Sequence, residues 1–459
     1  MKKEYLVLDK VQGPLIVVSG VNDAAYDEIV DVLVDNKIKK KGKVVQIFRD
    51  KAIIQLFETT SGISVNNSAV TFTGKPLQIP LSKDILGRAF NGMGEPVDNG
   101  GEIFSEKRYN INGRPMNPVA RQYPRNFIQT GISSIDCLTT LIRGQKLPIF
   151  TGNGMPHNEL AAQIVRQAKL SEASGAKFAV VFAAMGIKHD DADYFRKSFE
   201  EAGVLDRVVM YMNLADDPVV ERIVTPRAAL TAAEYLAFEE GMHILVIMTD
   251  ISNYCEALRE ISSLREEVPS RKGYPGYLYS DLASLYERAG MLRGKPGSIT
   301  QIPIVSMPND DITHPVPDLT GYITEGQIVL GRGLYQKNIY PPVNVLASLS
   351  RLMKDGIGEG YTREDHADTA NQLFAAYSRV QDVISLSQVI GEEELSDTDK
   401  PYMEFGRLFE DKFLKQRFDE DRSIIETLDL AWEILSILPK EELDRVSPEI
   451  LDKYYRGDK

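Results

Sequence analysis

Three short, almost unbroken apolar runs constrain the middle of this 459-residue chain: Lys177-Phe-Ala-Val-Val-Phe-Ala183, Arg207-Val-Val-Met-Tyr-Met212 and His243-Ile-Leu-Val-Ile-Met248. A strand with one wet face alternates polar and apolar side chains. A strand covered on both faces, as in a parallel sheet, does not. The segments between, such as Asn158 to Leu170 and Arg227 to Glu240, place apolar residues at helical spacing. Strand and helix in alternation predict an α/β domain, whose ligands bind at the carboxyl ends of the strands.

The flanks read differently. Glu28-Ile-Val-Asp-Val-Leu-Val34, Lys43-Val-Val-Gln-Ile-Phe48 and Ala52-Ile-Ile-Gln-Leu-Phe57 are β-branched and partly alternating, and Arg49-Asp50 is short enough for a hairpin turn. Several such strands in a small module predict a barrel or a sandwich over residues 1–75. A Pro- and Gly-rich connection runs from Gly74-Lys75-Pro76 to Gly92-Met93-Gly94-Glu95-Pro96 and leads into the α/β region, read as 76–352. Beyond Tyr361 the strand signal ends. Thr362-Arg-Glu-Asp365 has the form of a capping box. Ile424, Ile425, Leu428, Ala431, Trp432, Leu435 and Leu438 recur at helical spacing, and Ser447-Pro448 opens another helix. Residues 353–459 are therefore expected to form an α-helical bundle, with that stripe as core.

Composition excludes several roles. With 43% apolar and 26% charged residues, the chain has the balance of a globular protein. No apolar stretch reaches the roughly 18 residues that would span a membrane. Met1-Lys2-Lys3-Glu4-Tyr5 runs straight into strand-like sequence with no signal-peptide core, which predicts a cytoplasmic protein. Cys137 and Cys255 stand far apart and outside any metal-ligand spacing, so buried free thiols are expected, with no disulfide and no metal. A formal net charge of −13 opposes a nucleic-acid role, because phosphate-backbone binding needs clustered cations. The basic runs Lys37 to Lys43 and Arg265 to Lys272 read as solvated faces.

The most informative stretch is Leu147-Pro-Ile-Phe-Thr-Gly152-Asn-Gly154-Met-Pro-His157-Asn158-Glu159-Leu160, a strand entering a glycine-bearing turn and then a helix. A phosphate-binding loop needs that context, since glycines let backbone N–H groups converge on an anion at a helix N-terminus. Laid on G-x-x-x-x-G-K-[ST], Gly152 supplies the first glycine. His157 then replaces the second glycine, Asn158 the lysine, and Glu159 the magnesium-binding hydroxyl residue. The lysine normally reaches the β- and γ-phosphates and the hydroxyl holds Mg²⁺. A neutral amide and a carboxylate perform neither task. Alone, this degenerate loop reads equally well as a tight turn without a ligand. Ile244-Leu-Val-Ile-Met-Thr-Asp250 resembles a Walker B strand, with Asp250 as the carboxylate behind Mg²⁺ or, more simply, as a helix N-cap.

Many segments together resemble the V/A-type rotary ATPase B subunit. They include Gln129-Thr-Gly-Ile-Ser-Ser-Ile-Asp136, Arg143-Gly-Gln-Lys-Leu-Pro-Ile-Phe150, Pro156-His-Asn-Glu-Leu-Ala-Ala-Gln163 and Asn213-Leu-Ala-Asp-Asp-Pro218. Gly273-Tyr-Pro-Gly-Tyr-Leu-Tyr279, Asp318-Leu-Thr-Gly-Tyr-Ile-Thr-Glu-Gly-Gln327, Ser348-Leu-Ser-Arg-Leu352 and Thr362-Arg-Glu-Asp-His366 extend the likeness over essentially the whole chain. The resemblance implies an N-terminal β-barrel, a RecA-like, P-loop-NTPase-type α/β domain and a helical C-terminal domain. It also implies a non-catalytic subunit that alternates with catalytic A subunits in an A3B3 ring. Further implied partners are the central rotor shaft and the peripheral stalk, with ion transport in a separate membrane sector.

Met185-Gly186-Ile187-Lys188 falls where catalytic rotary subunits carry Gly-Glu-Arg, whose glutamate polarises the attacking water. Isoleucine cannot do this, so three catalytic elements are altered together. In the family's Ser-Leu-Ser-Arg motif, Arg351 reaches across the interface to ATP or ADP with Mg held by the A subunit. The chain alone is expected to hold no tight cofactor. Ser348, Ser350 and Tyr322 are expected at the same interface, although Tyr322 reads equally well as packing. From composition alone Arg351 would be a surface arginine. Two other readings compete: an autonomous hexameric NTPase or helicase, opposed by the lost lysine, hydroxyl and glutamate, and a pure scaffold with no part in the chemistry. Gly356-Ile-Gly-Glu-Gly360 reads as a connection, and Gly273 to Tyr279 as an aromatic turn loop, by family position near the shaft.

Overall fold

A computed structural model describes the chain except residues 1–3, 6–7, 36–37, 67, 115, 171–174 and 458–459. Lys37 and the first three residues, read above as a basic run and a strand approach, lie outside the described residues.

The N-terminal strands are β1 (Glu4–Tyr5), β2 (Leu8–Gln12), β3 (Leu15–Ser19), β4 (Glu28–Val34), β5 (Ile38–Phe48), β6 (Lys51–Leu56) and β7 (Ser68–Pro76). They form one antiparallel sheet in the order β1-β7-β4-β5-β6-β3-β2. Arg49-Asp50 is the two-residue turn between β5 and β6, with Phe48 opposite Lys51. Alternate residues point inward, so Val18, Val30, Val32, Val44, Ile54 and Val70 close a small core of their own.

The central sheet is built from β8 (Ala89–Asn91), β9 (Ile149–Gly152), β10 (Phe178–Ile187), β11 (Val208–Leu214), β12 (His243–Thr249), β13 (Ser298–Met307), β14 (Gly326–Val329) and β15 (Leu349–Ser350). Its order is β15-β14-β9-β13-β12-β10-β11-β8. Every pair in that path is parallel except the antiparallel edge pair β14–β15. The apolar runs at 177, 207 and 243 are β10, β11 and β12, and β12 is buried along its entire length. That double burial is why their sequences do not alternate.

The helices are α1 (Ser133–Leu138), α2 (His157–Gln167), α3 (His189–Glu201), α4 (Val219–Phe238), α5 (Ile251–Leu264), α6 (Leu278–Tyr286), α7 (Pro315–Ile323), α8 (Arg332–Gln336), α9 (His366–Ile390), α10 (Lys400–Leu408), α11 (Ile424–Leu435) and α12 (Pro448–Tyr454). One face of the sheet packs on α4, α5 and α6. The other face, with α2 and α3, shares a continuous core with the C-terminal helices, running from Phe182 and Ile304 to Phe405, Trp432 and Leu438. The helical domain is therefore bound to the sheet domain by shared apolar burial, the largest favourable term in folding. Polar contacts fix the register. Gln416, only 4% exposed, accepts from Ser133 N at 2.7 Å and donates to Gly131 O at 3.0 Å. The Arg166 guanidinium lies 3.8 Å from the centre of the Phe418 ring.

One cap reading is corrected by the structure. Thr362-Arg-Glu-Asp365 is not a capping box: α9 begins one residue later, and Thr362 Oγ1 accepts from Gly358 N at 2.8 Å in the preceding loop. Asp365 is diverted by stronger partners, Arg363 (2.6 and 2.9 Å) and Trp432 Nε1 (2.6 Å). The capping box of this domain is Ser423 with Glu426, opening α11, an S-x-x-E pattern that was present in the sequence. Ser447 is the N-cap residue of α12 with Pro448 in its first turn, as the sequence predicts, and its side chain makes no cap bond.

Two buried histidines link stability to pH. His366 is fully buried, with Nδ1 3.0 Å from Thr362 Oγ1 and Nε2 3.0 Å from Cys137 O, a set that suits the neutral ring with its proton on Nε2. His243 lies 3.0 Å from Arg143 Nη1, which donates to it, and 2.8 Å from Ser298 Oγ. Burial pushes both to about 4, and for His243 the Arg143 charge adds to the effect. The unfolded chain then binds more protons than the folded one between roughly pH 6.5 and 4. Stability should be fully present above that window and fall through it, at up to about 1.4 kcal/mol per pH unit for each ring. Denaturant midpoints measured from pH 7.5 to 4.5 check this: His243→Asn should flatten the slope, and an unchanged slope would contradict it.

Candidate functional site: an altered phosphate loop and an unpaired arginine

The strand β9 ends at Gly152, and a turn through Gly154 (φ +74°) delivers the chain to the first residue of α2, His157. The strand–turn–helix geometry of a phosphate loop is present, but the side chains are turned to other uses. His157 Nδ1 lies 2.9 Å from Met155 O. Asn158 Nδ2 donates to Asp191 on α3 at 3.3 Å, away from the loop, and Glu159 points into solvent.

Over Gly152 lies a carboxylate of the chain itself. Asp310 is gripped by Nε and Nη2 of Arg332, at 2.6 and 2.8 Å, while Arg332 Nη2 also donates to Asn153 O at 3.0 Å. A Cβ added to Gly152 would fall 1.8 Å from Asp310 Oδ1, so only glycine fits beneath this pair. Asn309 and Asp310 sit at φ +57° and +56°, a left-handed turn that presents the carboxylate. The Arg332 guanidinium beside it holds the Asp310 carboxyl below the usual carboxylate range. Sequence reasoning missed this pair, because nothing local links Asp310 or Arg332 to Gly152.

Asp250 follows β12 as the N-cap of α5, accepting from Ser252 N at 2.8 Å. Ser306 on β13 donates to it through both its backbone N–H, at 3.2 Å, and its hydroxyl. Ile187 is buried at the end of β10. Beside it Gly186 holds a left-handed φ of +64°, and a Cβ there would come 2.8 Å from Arg222 Nε and push that side chain aside. Among the described residues no cluster of three or more His, Cys, Asp or Glu side chains could hold a metal ion.

The second feature lies at the sheet edge. Ser348 and Arg351 flank β15. Ser348 Oγ donates to Asn344 O at 2.7 Å and accepts from Val329 N at 2.9 Å. Ser350 Oγ donates to Thr140 O and accepts from Gln145 Nε2, both at 2.9 Å. Both hydroxyls are thus satisfied inside the chain. Arg351 is the opposite case. Its backbone N–H donates to Glu325 O at 2.9 Å, while its exposed guanidinium makes one long contact, 3.4 Å to Thr324 O. Among the described residues no carboxylate pairs with it. Thr324 caps α7, and Tyr322, two residues before it, is 73% exposed, so Arg351 and Tyr322 share one rim.

Family models match along most of the chain: the beta-barrel domain of the ATP synthase alpha/beta family over residues 10–74, its nucleotide-binding domain over 131–350, and the C-terminal domain of V and A type ATP synthase over 355–455. A V-type ATP synthase beta chain from Clostridium tetani is 77% identical over the full length of both chains. The chain belongs to the V/A-type ATPase B-subunit family. Its likeness extends from V-type to A-type proteins, since the B subunit of an A-type ATP synthase from Aeropyrum pernix is 60% identical over 99% of this chain and 98% of that one. The structure of an ATP synthase subunit, NeqB, from Nanoarcheaum equitans superposes on this B-family chain with a TM-score of 0.73, at 41% identity over 92% of this chain and 98% of that one. The expected three-part architecture agrees with these matches. Among the described residues of the B-family chain, no helix is long and apolar enough to cross a membrane.

Proposed function

We propose that this chain is the non-catalytic ring subunit of the V1/A1 sector of an ion-translocating rotary ATPase, and that it completes the ATP site of a neighbouring catalytic A subunit with Arg351. It alternates with A subunits in an A3B3 ring, cytoplasmic and peripheral to the membrane, in contact with the rotor shaft and the peripheral stalk. The observation that carries the reading is the Arg351 guanidinium: exposed at the rim and without a carboxylate partner among the described residues. An arginine supplied in trans neutralises charge developing on the transferred γ-phosphoryl group. Its planar, multi-donor head suits that task better than a lysine ammonium. Mg-ATP or Mg-ADP is held at the interface, chiefly by the partner. Tyr322 packs beside it, while Ser348 and Ser350 shape the strand that presents Arg351.

The chain's own loop is proposed not to hold nucleotide. Asn158 and Glu159 supply no cation or hydroxyl, and over Gly152 the Arg332 guanidinium is spent on Asp310, so the pair fills the loop and offers a phosphate no net positive charge. Asp250 is spent as a helix cap. Purified alone, the chain should release no calorimetric heat with Mg-ATP at sub-millimolar concentration and hydrolyse none, whereas mixed with catalytic A subunits it should support turnover. A micromolar isotherm or hydrolysis by the chain alone would favour the autonomous NTPase reading instead.

A further inference from the structure

The segment that carries Arg351 is anchored by one buried amide. Gln145 is fully buried and uses both ends of its side chain. Its Oε1 accepts from Ile142 N at 2.9 Å. Its Nε2 donates to Ser350 Oγ at 2.9 Å and to Glu325 O at 3.2 Å. Glu325 O is also the acceptor of the Arg351 backbone N–H, at 2.9 Å. A single amide thus holds the residue before Arg351 and the carbonyl to which Arg351 itself is tied.

Glu325 is in turn fixed from its other end. Its carboxylate accepts from Lys146 N at 2.8 Å and pairs with Lys146 Nζ at 3.1 Å, and Lys146 is only 5% exposed. Ser350 Oγ in turn donates a hydrogen bond to Thr140 O at 2.9 Å. The backbones of β14 and β15 meet so closely that a Cβ on Gly326 would fall 2.3 Å from Leu349 O. Among the described residues the Arg351 guanidinium has only its long contact to Thr324 O, so its aim depends on the backbone beneath it.

We propose that Gln145 is a positioning residue for Arg351, setting where the guanidinium enters the partner's active site. This rests on the reading of Arg351 as the in-trans arginine. A buried amide with all its bonds made holds a backbone to a narrow range, and removing it leaves Glu325 O and Ile142 N short of partners. Displacement of a charge-stabilising group by about 1 Å costs up to about a hundredfold in rate. Such a loss falls on the chemical step and leaves ground-state binding nearly unchanged.

The test is a double-mutant cycle on the full chain assembled with its catalytic partner: wild type, Gln145→Leu, Arg351→Ala and the double variant. Gln145→Leu is expected to lower kcat by roughly tenfold or more with KM changed less than about threefold, and to cost little further in the Arg351→Ala background. An unchanged kcat, or losses that multiply in the double variant, would overturn the proposal. Ser350→Ala, which removes one bond and leaves the amide, should give a smaller loss of kcat. If Gln145→Leu fails to assemble, an unchanged kcat in Ser350→Ala overturns the proposal in its place. Full turnover in Arg351→Ala would instead defeat the underlying reading of Arg351, a result distinct from either.

Discussion

Replacing Arg351 with alanine should lower steady-state ATP turnover of the assembled ring by about a thousandfold or more, within the range in-trans arginines contribute to phosphoryl transfer. Assembly and thermal stability should hardly change. Among the described residues the side chain makes a single 3.4 Å bond, to Thr324 O, and it sits on the surface, so its loss leaves none of their buried groups unpaired. Arg351→Lys should recover only part of the rate, because one ammonium cannot reproduce a planar, multi-donor contact. Turnover equal to wild type in Arg351→Ala would make the scaffold reading the better account.

The largest effect on stability is expected at Asp365. This fully buried carboxylate accepts two bonds from Arg363, at 2.6 and 2.9 Å, one from Trp432 Nε1 at 2.6 Å and one from Thr369 Oγ1 at 3.2 Å. Burial works against its charge, but Arg363 and Trp432 outweigh it and hold the carboxyl below its ordinary range. Asp365→Ala leaves a buried indole N–H without its partner and the half-buried Arg363 guanidinium with Asp429, at 2.7 Å, as its remaining carboxylate, and breaking such a pair from one side costs about 3 kcal/mol. Chemical denaturation should show that loss as a lower midpoint. Because the helical domain and the central sheet share one core, a single earlier transition is expected rather than separate unfolding of the helices. Asp365→Asn, which retains acceptor capacity, should lose less.

What could be read in the sequence divides along the same lines as the physics. The doubly buried strands at 178, 208 and 243 and the helices between them were legible, because period and burial are local patterns. Helix α4 nevertheless starts at Val219, well before the periodic segment at Arg227, and carries Pro226 inside it. The Thr362 cap was misread because a buried ion pair competed for Asp365, and no local pattern reports a partner such as Trp432. The lost lysine and hydroxyl of the phosphate loop were visible residue by residue, whereas the Asp310–Arg332 pair over Gly152 was not. Ser348 and Ser350 lie in the motif expected at the interface, but only the fold discloses that their hydroxyls face inward. Gln145 lies in a segment that carries the family likeness, but nothing local points to its role, since its partners Glu325 and Ser350 are brought to it by the sheet.

The most direct test of an arginine acting across the interface separates binding from chemistry. Single-turnover hydrolysis and Mg-ATP occupancy should be measured together in rings built with wild-type chain and with Arg351→Ala. The account predicts occupancy of the partner's sites within a few-fold of wild type and a chemical step slowed by about three orders of magnitude. An unchanged chemical step, or a loss explained wholly by empty sites, would contradict it.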